Sequence, residues 1–157
     1  MLKLAFDKLV NAPTNIKSFD LILQQAKSNR FVKSYTSHIL ERYNLSTLDW
    51  SLLGSIYKKP EGCRFVDISK SMGVEPPFVT ELMNDPKLKT YLDIKTDPED
   101  RRAKIVALTS KGKQRVADIE KRLHTSLAKV LSAIPNADMK TYVNVMQKLI
   151  DKLEQVN

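Results

Sequence analysis

The sequence predicts a mainly α-helical protein with one small β-hairpin. Apolar residues recur at near-helical intervals through most of the 157 residues, and only 91–94 and 105–108 alternate as strands do. A charged segment that begins with Asp97-Pro98 separates these two runs, which is typical of a hairpin. Four glycines in the whole chain also argue against an all-β architecture rich in tight turns.

The composition indicates a polyanionic partner. The chain has 26 basic and 18 acidic residues, which give a formal net charge of +8. An excess of this size favours nucleic acid or an anionic membrane surface, and solubility alone is the other explanation. Cys63 is the single cysteine and suits a reducing compartment, and no apolar run reaches membrane-spanning length. We therefore expect a cytoplasmic protein with no membrane partner.

The N-terminal region, residues 1–45, is predicted to form helices for dimerisation and packing. A short helix over residues 2–10 places apolar side chains on one face, and Asn11-Ala12-Pro13 ends it. A long helix is then predicted from about Ser18 to Tyr43, and Asn44 closes it.

The middle region, residues 46–109, begins with a helix start signal. Ser46 is a suitable N-cap for a helix whose third residue is Asp49, and Leu45 and Trp50 occupy the hydrophobic positions on either side. Such a helix would run through Leu52, Leu53 and Ile56 to a turn at Lys59-Pro60-Glu61-Gly62.

Two short helices are predicted next. The first runs from Phe65 to Met72, is expected to bury Phe65, Ile68 and Met72, and ends at Gly73, where the chain needs a positive φ. The second begins at Pro76-Pro77, because proline is tolerated in a first helical turn, and Pro86 ends it. Two short helices joined by such a turn and followed by a hairpin form a winged helix-turn-helix. This motif binds double-stranded DNA, which we take as the expected partner.

The C-terminal region, residues 110–157, is predicted to contain two helices. Thr109 caps the first, and Pro135-Asn136 separates it from the second. The second helix has apolar residues at coiled-coil-like spacing: Met139, Tyr142, Val143, Met146, Leu149, Ile150 and Leu153. A winged domain needs only about half of this chain. The apolar stripes of the terminal helices therefore have to be covered by another surface. We expect a homodimer, with the two motifs about 34 Å apart on one face of the duplex.

The hairpin resembles the wing of the MarR family of winged helix-turn-helix regulators. The matching residues are Asp97-Pro98-Glu99-Asp100-Arg101-Arg102-Ala103-Lys104-Ile105-Val106-Ala107-Leu108-Thr109, followed by Gly112. Residues 65–74 match more weakly, and the resemblance extends over about residues 18–155. It implies interlocked terminal helices in a dimer, a recognition helix in the major groove and a wing at the minor groove. It also implies transcriptional regulation, often relieved by a small molecule.

The wing is the strongest predicted DNA contact. A narrow minor groove concentrates negative potential and attracts arginine. We expect Arg102 to enter the groove or lie along its edge, Asp100 to orient its guanidinium beforehand, and Arg101 to contact phosphate. Lys104 is a further candidate DNA contact. The two arginines are interchangeable in this interpretation. The alternative is a solvated loop closed by weak local ion pairs.

The predicted recognition helix is unusual. Its outward positions and the lysines beyond its end are the candidate DNA contacts: Pro77, Thr80, Glu81, Asn84, Lys87 and Lys89. Relatives in the family usually have serine, threonine and arginine along this face, and Arg64 stands where a threonine often caps the preceding helix. The Pro-Pro-Phe start is more typical of a protein contact. The alternative function is therefore a winged-helix protein-interaction module with weak or nonspecific DNA binding.

Four aromatic residues are candidates for an effector pocket: Phe31, Tyr35, Trp50 and Tyr57. A small aromatic or lipophilic effector would suit them, and a role in the core is the open alternative. We expect no enzyme activity and no cofactor, because the chain has no phosphate-binding glycine loop and no nucleophile motif. His38 and His124 are too isolated to predict a metal site. Cys63 is interpreted as an inert thiol rather than a redox sensor.

Overall fold

The computed structural model describes residues 17–156. These residues divide into two compact units, one ending at Thr47 and the other beginning at Leu48. The helix predicted over residues 2–10 lies outside the described residues.

The first unit is built around one long helix. Helix α1 spans Ser18–Leu40 and is followed by one turn of 3-10 helix, Glu41–Tyr43. Asn44 closes this turn with a left-handed φ of 56°. The prediction of a helix that Asn44 ends is confirmed, and its last turn is tightened to 3-10 geometry.

The remaining elements combine helices with one small sheet. In chain order they are α2 (Thr47–Tyr57), β1 (Cys63–Arg64), α3 (Phe65–Met72), α4 (Pro76–Met83), β2 (Leu92–Thr96), β3 (Lys104–Leu108), α5 (Ser110–Leu131) and α6 (Asn136–Glu154). The strands form an antiparallel sheet in the order β1-β3-β2. The fold class predicted from the sequence is confirmed, since β2 and β3 are the hairpin. Strand β1 was not predicted, and two residues are too few to show a periodic pattern.

The core of the second unit joins α2 to the helix-turn-helix and the sheet. Its most deeply buried side chains are Leu52, Leu53, Ile56, Ile68, Val79, Met83, Leu88, Val106 and Ile119. Leu52, Leu53 and Ile56 of α2 are among them. On α3, however, Ile68 and Ser69 are buried, whereas Phe65 and Met72 are only half-buried. Only a narrow stripe of the short helix α3 therefore packs against the core.

The turn between α3 and α4 has the expected backbone. Gly73 ends α3 with a φ of 63°, a conformation in which a side chain is strained. Pro76 and Pro77 occupy the first two positions of α4, where backbone N–H groups have no helical acceptor. Helix α4 ends at Met83. A proline disfavours helical backbone at the preceding residue, so Pro86 alone would require the helix to end only two residues later. These two short helices form the predicted helix-turn-helix.

The start of α5 is fixed against the end of the hairpin. The Thr109 hydroxyl oxygen accepts from the backbone N–H of Gly112 at 3.0 Å and donates to the Thr90 carbonyl oxygen at 2.9 Å. A Cβ on Gly112 would lie 2.3 Å from the carbonyl oxygen of Tyr91, so this position requires glycine. The predicted Thr109 cap is confirmed, and the close approach explains the glycine that follows it.

The terminal helices keep much of their apolar surface exposed. On α5, Val116, Ile119 and Leu123 are buried, whereas Val130 is 57% exposed. No residue of α6 is buried, and Leu40 is the only buried residue of α1. Within residues 17–156, no helix combines the length and the apolar character needed to cross a membrane.

Candidate nucleic-acid interface

The outer face of α4 presents the predicted contact residues. Pro77, Thr80, Glu81 and Asn84 are all exposed, while Val79 is buried on the opposite face. The Thr80 hydroxyl donates to the carbonyl oxygen of residue 76 at 3.2 Å and keeps its acceptor capacity. This face therefore offers a hydroxyl, an amide and a carboxylate but no cation.

Lys87 lies between two carboxylates. Its Nζ is 2.8 Å from Asp49 Oδ2 and 3.1 Å from Asp85 Oδ2. Hydrogen bonding to Asp49 raises the pKa of Lys87, and the backbone N–H of Lys87 lowers the pKa of Asp85. The predicted phosphate contact of Lys87 remains a prediction, but its ammonium group already pairs with protein carboxylates. Lys89 is exposed.

Asp49 has a role that its sequence position did not suggest. Its predicted place was the first turn of a capped helix, and it does lie in the first turn of α2. Its side chain is nevertheless only 1% exposed and binds Lys87 across 38 positions of sequence. A buried carboxylate needs such a partner, since an isolated charge in the core costs several kcal/mol. The pair therefore ties the end of the helix-turn-helix to α2.

The tip of the wing carries two arginines, Arg101 and Arg102. Arg101 and Arg102 are exposed, and within residues 17–156 no carboxylate lies within 4.0 Å of either guanidinium. Asp100 Oδ1 accepts from the backbone N–H of Arg102 at 3.0 Å, so this carboxylate shapes the turn. From the sequence, the Asp100 carboxylate was expected to hold the guanidinium of Arg102 instead. Lys104 is exposed and its Nζ donates to Thr96 Oγ1 at 2.9 Å.

The base of the wing is tied to strand β1 by Arg64. Its Nε lies 2.5 Å from Asp97 Oδ2, and a terminal nitrogen lies 3.6 Å from Glu99 Oε2. Asp97 is only 2% exposed, and the Glu99 N–H and Arg64 lower the pKa of its carboxyl despite burial. The contact between Arg64 and Asp97 was not predicted from the sequence. The only signal was that Arg64 stands where a capping threonine is usual.

The four aromatic effector candidates fall in both units. Trp50 and Tyr57 line a groove of about 590 Å³ in the second unit, together with His124. Phe31 and Tyr35 belong to α1 in the first unit, where Phe31 is 66% exposed. The structure thus brings Trp50 and Tyr57 to one groove.

Cys63 has the environment of an unreactive thiol. It is half-buried on β1, and burial, followed by the charge of Asp67, raises the pKa of its thiol. A higher pKa leaves less of the nucleophilic thiolate at neutral pH. The interpretation of Cys63 as an inert residue is therefore favoured. Among residues 17–156, no three potential metal ligands form a cluster.

Solved structures with a similar fold include MarR-family transcriptional regulators. No protein-family model matches the chain. A MarR-family transcriptional regulator from Rhodococcus sp. RHA1 is 19% identical with a TM-score of 0.76, over 87% of this chain and 96% of that one. CouR from Rhodococcus jostii RHA1, bound to p-coumaroyl-CoA, is 17% identical with a TM-score of 0.75, over 87% and 95%. MepR of S. aureus in complex with DNA is 18% identical with a TM-score of 0.68, over 88% and 99%.

The chain therefore has the winged-helix fold of MarR-family transcriptional regulators. The resemblance seen in the wing sequence is confirmed at the level of the fold. The neighbour from Rhodococcus sp. RHA1 is a transcriptional regulator, in agreement with the expectation of a regulator rather than an enzyme.

Proposed function

We propose that this protein is a homodimeric DNA-binding transcriptional regulator. In this proposal α4 lies in the major groove and the wing lies at the minor groove of the same half-site. The proposal is supported by the fold, by the formal charge of +8 and by the exposed polar side chains of α4. One of the structural neighbours, MepR, forms a complex with DNA.

The arginines of the wing carry the proposal. Arg101 and Arg102 project from a short loop, are exposed and have no carboxylate partner among the described residues. A guanidinium that is not paired within the protein is available to phosphate or to the negative potential of a narrow minor groove. Two such groups on one tip favour a polyanion over a neutral protein surface.

The exposed apolar residues of the terminal helices support the homodimer. On α1, Phe19, Leu23 and Phe31 are each more than half exposed. On α6, Val143 and Leu153 are exposed to a similar extent. Apolar side chains that stay exposed along a helix favour a protein contact, and a second copy of the chain is the most common partner.

Duplex selection tests this proposal. The purified chain is incubated at physiological salt with a random duplex library, and the enriched sequences are titrated by fluorescence anisotropy. We expect a pseudo-palindromic site, and log Kd that rises steeply with log salt. Arg102→Ala should weaken binding by about 1–3 kcal/mol per protomer, the scale of one good base contact. Arg122→Ala, which removes an exposed arginine from α5, is the matched control and should leave the affinity close to its original value.

We further propose that a small aromatic or lipophilic effector binds next to Trp50 and Tyr57. Their groove is also lined by Lys58, Lys121, Glu120 and His124, so it combines aromatic surface with two ammonium groups and one carboxylate. A ligand that stacks on the rings and carries an anionic group fits this composition. CouR, a structural neighbour, has been solved with p-coumaroyl-CoA. Quenching of Trp50 fluorescence, the only tryptophan, provides the titration signal.

A protein-interaction module is the second candidate function. Pro76 and Phe78 line an open groove together with Val66 on α3 and Ile150 on α6, so part of α4 contributes to an apolar surface. Phe78→Glu should then abolish capture of a protein partner, while the unmodified chain binds all duplexes with the same weak affinity. Enrichment of one duplex sequence from the random library would exclude this alternative as the main function.

A further inference from the structure

The first residue of the wing loop is buried although its neighbours are not. Asp97 is 2% exposed, whereas Pro98, Glu99 and Asp100 are exposed. A carboxylate in such a position is unfavourable unless it is paired and hydrogen-bonded. The partner is Arg64, whose Nε lies 2.5 Å from Asp97 Oδ2. We call Arg64 and Asp97 the wing latch.

The latch connects the loop to the sheet from which it projects. Arg64 lies on β1, where it is paired in register with Ile105 of β3. Asp97 follows the last residue of β2, Thr96. The latch therefore joins the two outer strands of the sheet, which do not hydrogen-bond to each other, at the point where the loop begins.

A series of hydrogen bonds continues from Asp97 to the arginines. Asp97 Oδ1 accepts from the backbone N–H of Glu99 at 2.8 Å, and the N–H of Asp97 donates to the Ala103 carbonyl oxygen at 3.0 Å. The N–H of Ala103 donates to the Asp100 carbonyl oxygen at 2.9 Å. Asp100 then accepts from the N–H of Arg102 with its side chain. Each step fixes the backbone on which Arg101 and Arg102 stand.

We propose that the wing latch positions Arg101 and Arg102 for the DNA duplex, an inference that rests on the proposed function. Arg64 and Asp97 are positioning residues in this account, and neither contacts the duplex. An ordered loop loses less conformational freedom on binding than a mobile one, so the latch increases affinity without adding a contact. Arg64 also neutralises a carboxylate that would otherwise repel phosphate.

Two variants that change the net charge in opposite directions test the latch. Arg64→Gln removes one positive charge, and Asp97→Asn removes one negative charge, from a formal total of +8. Electrostatic attraction alone predicts that Arg64→Gln weakens binding and that Asp97→Asn strengthens it. Loss of positioning predicts that both weaken binding, by about three- to tenfold, the scale for ordering one or two side chains.

Glu99→Gln is the matched control. Glu99 is exposed and lies 3.6 Å from Arg64, so it shares the location of the latch but not its close hydrogen bond. Loss of its charge should leave the affinity unchanged or slightly stronger. The double variant Arg64→Gln/Asp97→Asn should bind no more weakly than the weaker single variant, because both substitutions remove one interaction.

A structural measurement separates positioning from a general loss of folding. Hydrogen–deuterium exchange should become faster in residues 97–103 of both latch variants. It should stay unchanged in residues 116–123, which form the buried part of α5. The slope of log Kd against log salt should fall in both variants, because the arginines of a mobile wing displace fewer counterions.

The outcomes are distinguishable. If the unmodified chain binds its selected duplex but Asp97→Asn binds as tightly or more tightly, the latch is overturned and the proposed function stands. If the unmodified chain has no affinity above nonspecific binding, both are overturned. If one variant fails to fold by circular dichroism, Arg64→Lys replaces it. This variant keeps the charge but loses the Nε–H donor, and unchanged affinity in it overturns the latch.

Discussion

The two elements that we propose to face DNA, α4 and the wing, are held in place by cations used in opposite ways. At the end of the recognition helix, Lys87 is itself the anchor and pairs with Asp49 and Asp85. At the wing, Arg64 is the anchor, and the arginines at the tip stay unpaired among the described residues. Lys87, the cation just beyond the recognition helix, therefore stabilises the fold. At the wing a separate residue, Arg64, has this role.

This difference assigns the strength of DNA binding and the preference for particular base sequences to different elements of the proposed complex. In the proposed complex the wing supplies positive charge, which would attract any duplex and whose effect depends on salt. The helix supplies Thr80, Glu81 and Asn84, which can distinguish base edges but add little attraction to phosphate. We infer that the wing dominates the strength of binding and the helix dominates its selectivity.

The largest expected effect is loss of both wing arginines. Arg101→Ala/Arg102→Ala should weaken binding to the selected duplex by about 2–4 kcal/mol per protomer. The salt slope should fall by about two for each wing that loses its contacts. Anisotropy titrations at several salt concentrations measure both quantities. Equal salt slopes for the variant and the original chain would place the charge contacts elsewhere.

Lys87→Met should have the next largest effect, on stability. It leaves Asp49 buried without its ammonium partner, which costs about 3–5 kcal/mol for a fully buried pair. Because the Lys87 side chain is 31% exposed, we expect about 2 kcal/mol in urea unfolding. Lys89→Met, an exposed neighbour, is the control and should change the free energy of unfolding by less than about 0.5 kcal/mol. Matching unfolding curves for the two variants would show that the pair is not structural.

Thr80→Ala should have a smaller effect on binding. The loss of one hydrogen bond to DNA should cost about 1 kcal/mol with the selected duplex. The preference between the selected duplex and its point variants should change more than the salt slope, which should be unaltered. Competition titrations against single-base variants test this. A changed salt slope with intact base preference would mean that α4 contacts only the backbone.

The pH dependence of the latch is the smallest expected effect. The pKa of Asp97 is lowered in the folded state, below about 3.9 for an unfolded aspartate. Its contribution to stability is therefore present above about pH 4 and is lost as the pH falls through the folded pKa. The difference in urea midpoint between the original chain and Asp97→Asn should stay constant from pH 8 to 5 and shrink below about pH 4. A difference that changes between pH 8 and 6 would point to another titrating group.

The local elements were predictable because short-range rules determine them. Gly73, Pro76 and Thr109 each act through the backbone of their own helix end, and the structure confirms all three. The alternation in β2 and β3 likewise predicted the hairpin. The assignment of domains to 1–45, 46–109 and 110–157 remains a prediction.

The long-range ion pairs were not predictable from the same rules. Arg64 and Asp97 are 33 positions apart, and Lys87 and Asp49 are 38 apart. No periodicity or motif links such residues, and charged residues are usually exposed. Lys87 was therefore predicted as a DNA contact, and no ion pair was predicted for Arg64. The DNA contacts themselves, and the effector role of Trp50 and Tyr57, stay predictions.

Affinity cleavage tests the position of the wing most directly. Cys63 is the only cysteine, so Cys63→Ser/Glu99→Cys allows an iron–EDTA reagent to be attached at the exposed wing tip alone. We predict cleavage in two minor grooves, placed symmetrically about the centre of the selected duplex. Cleavage spread evenly along the duplex, or none while the labelled protein is bound, would contradict a pair of wings at the minor grooves.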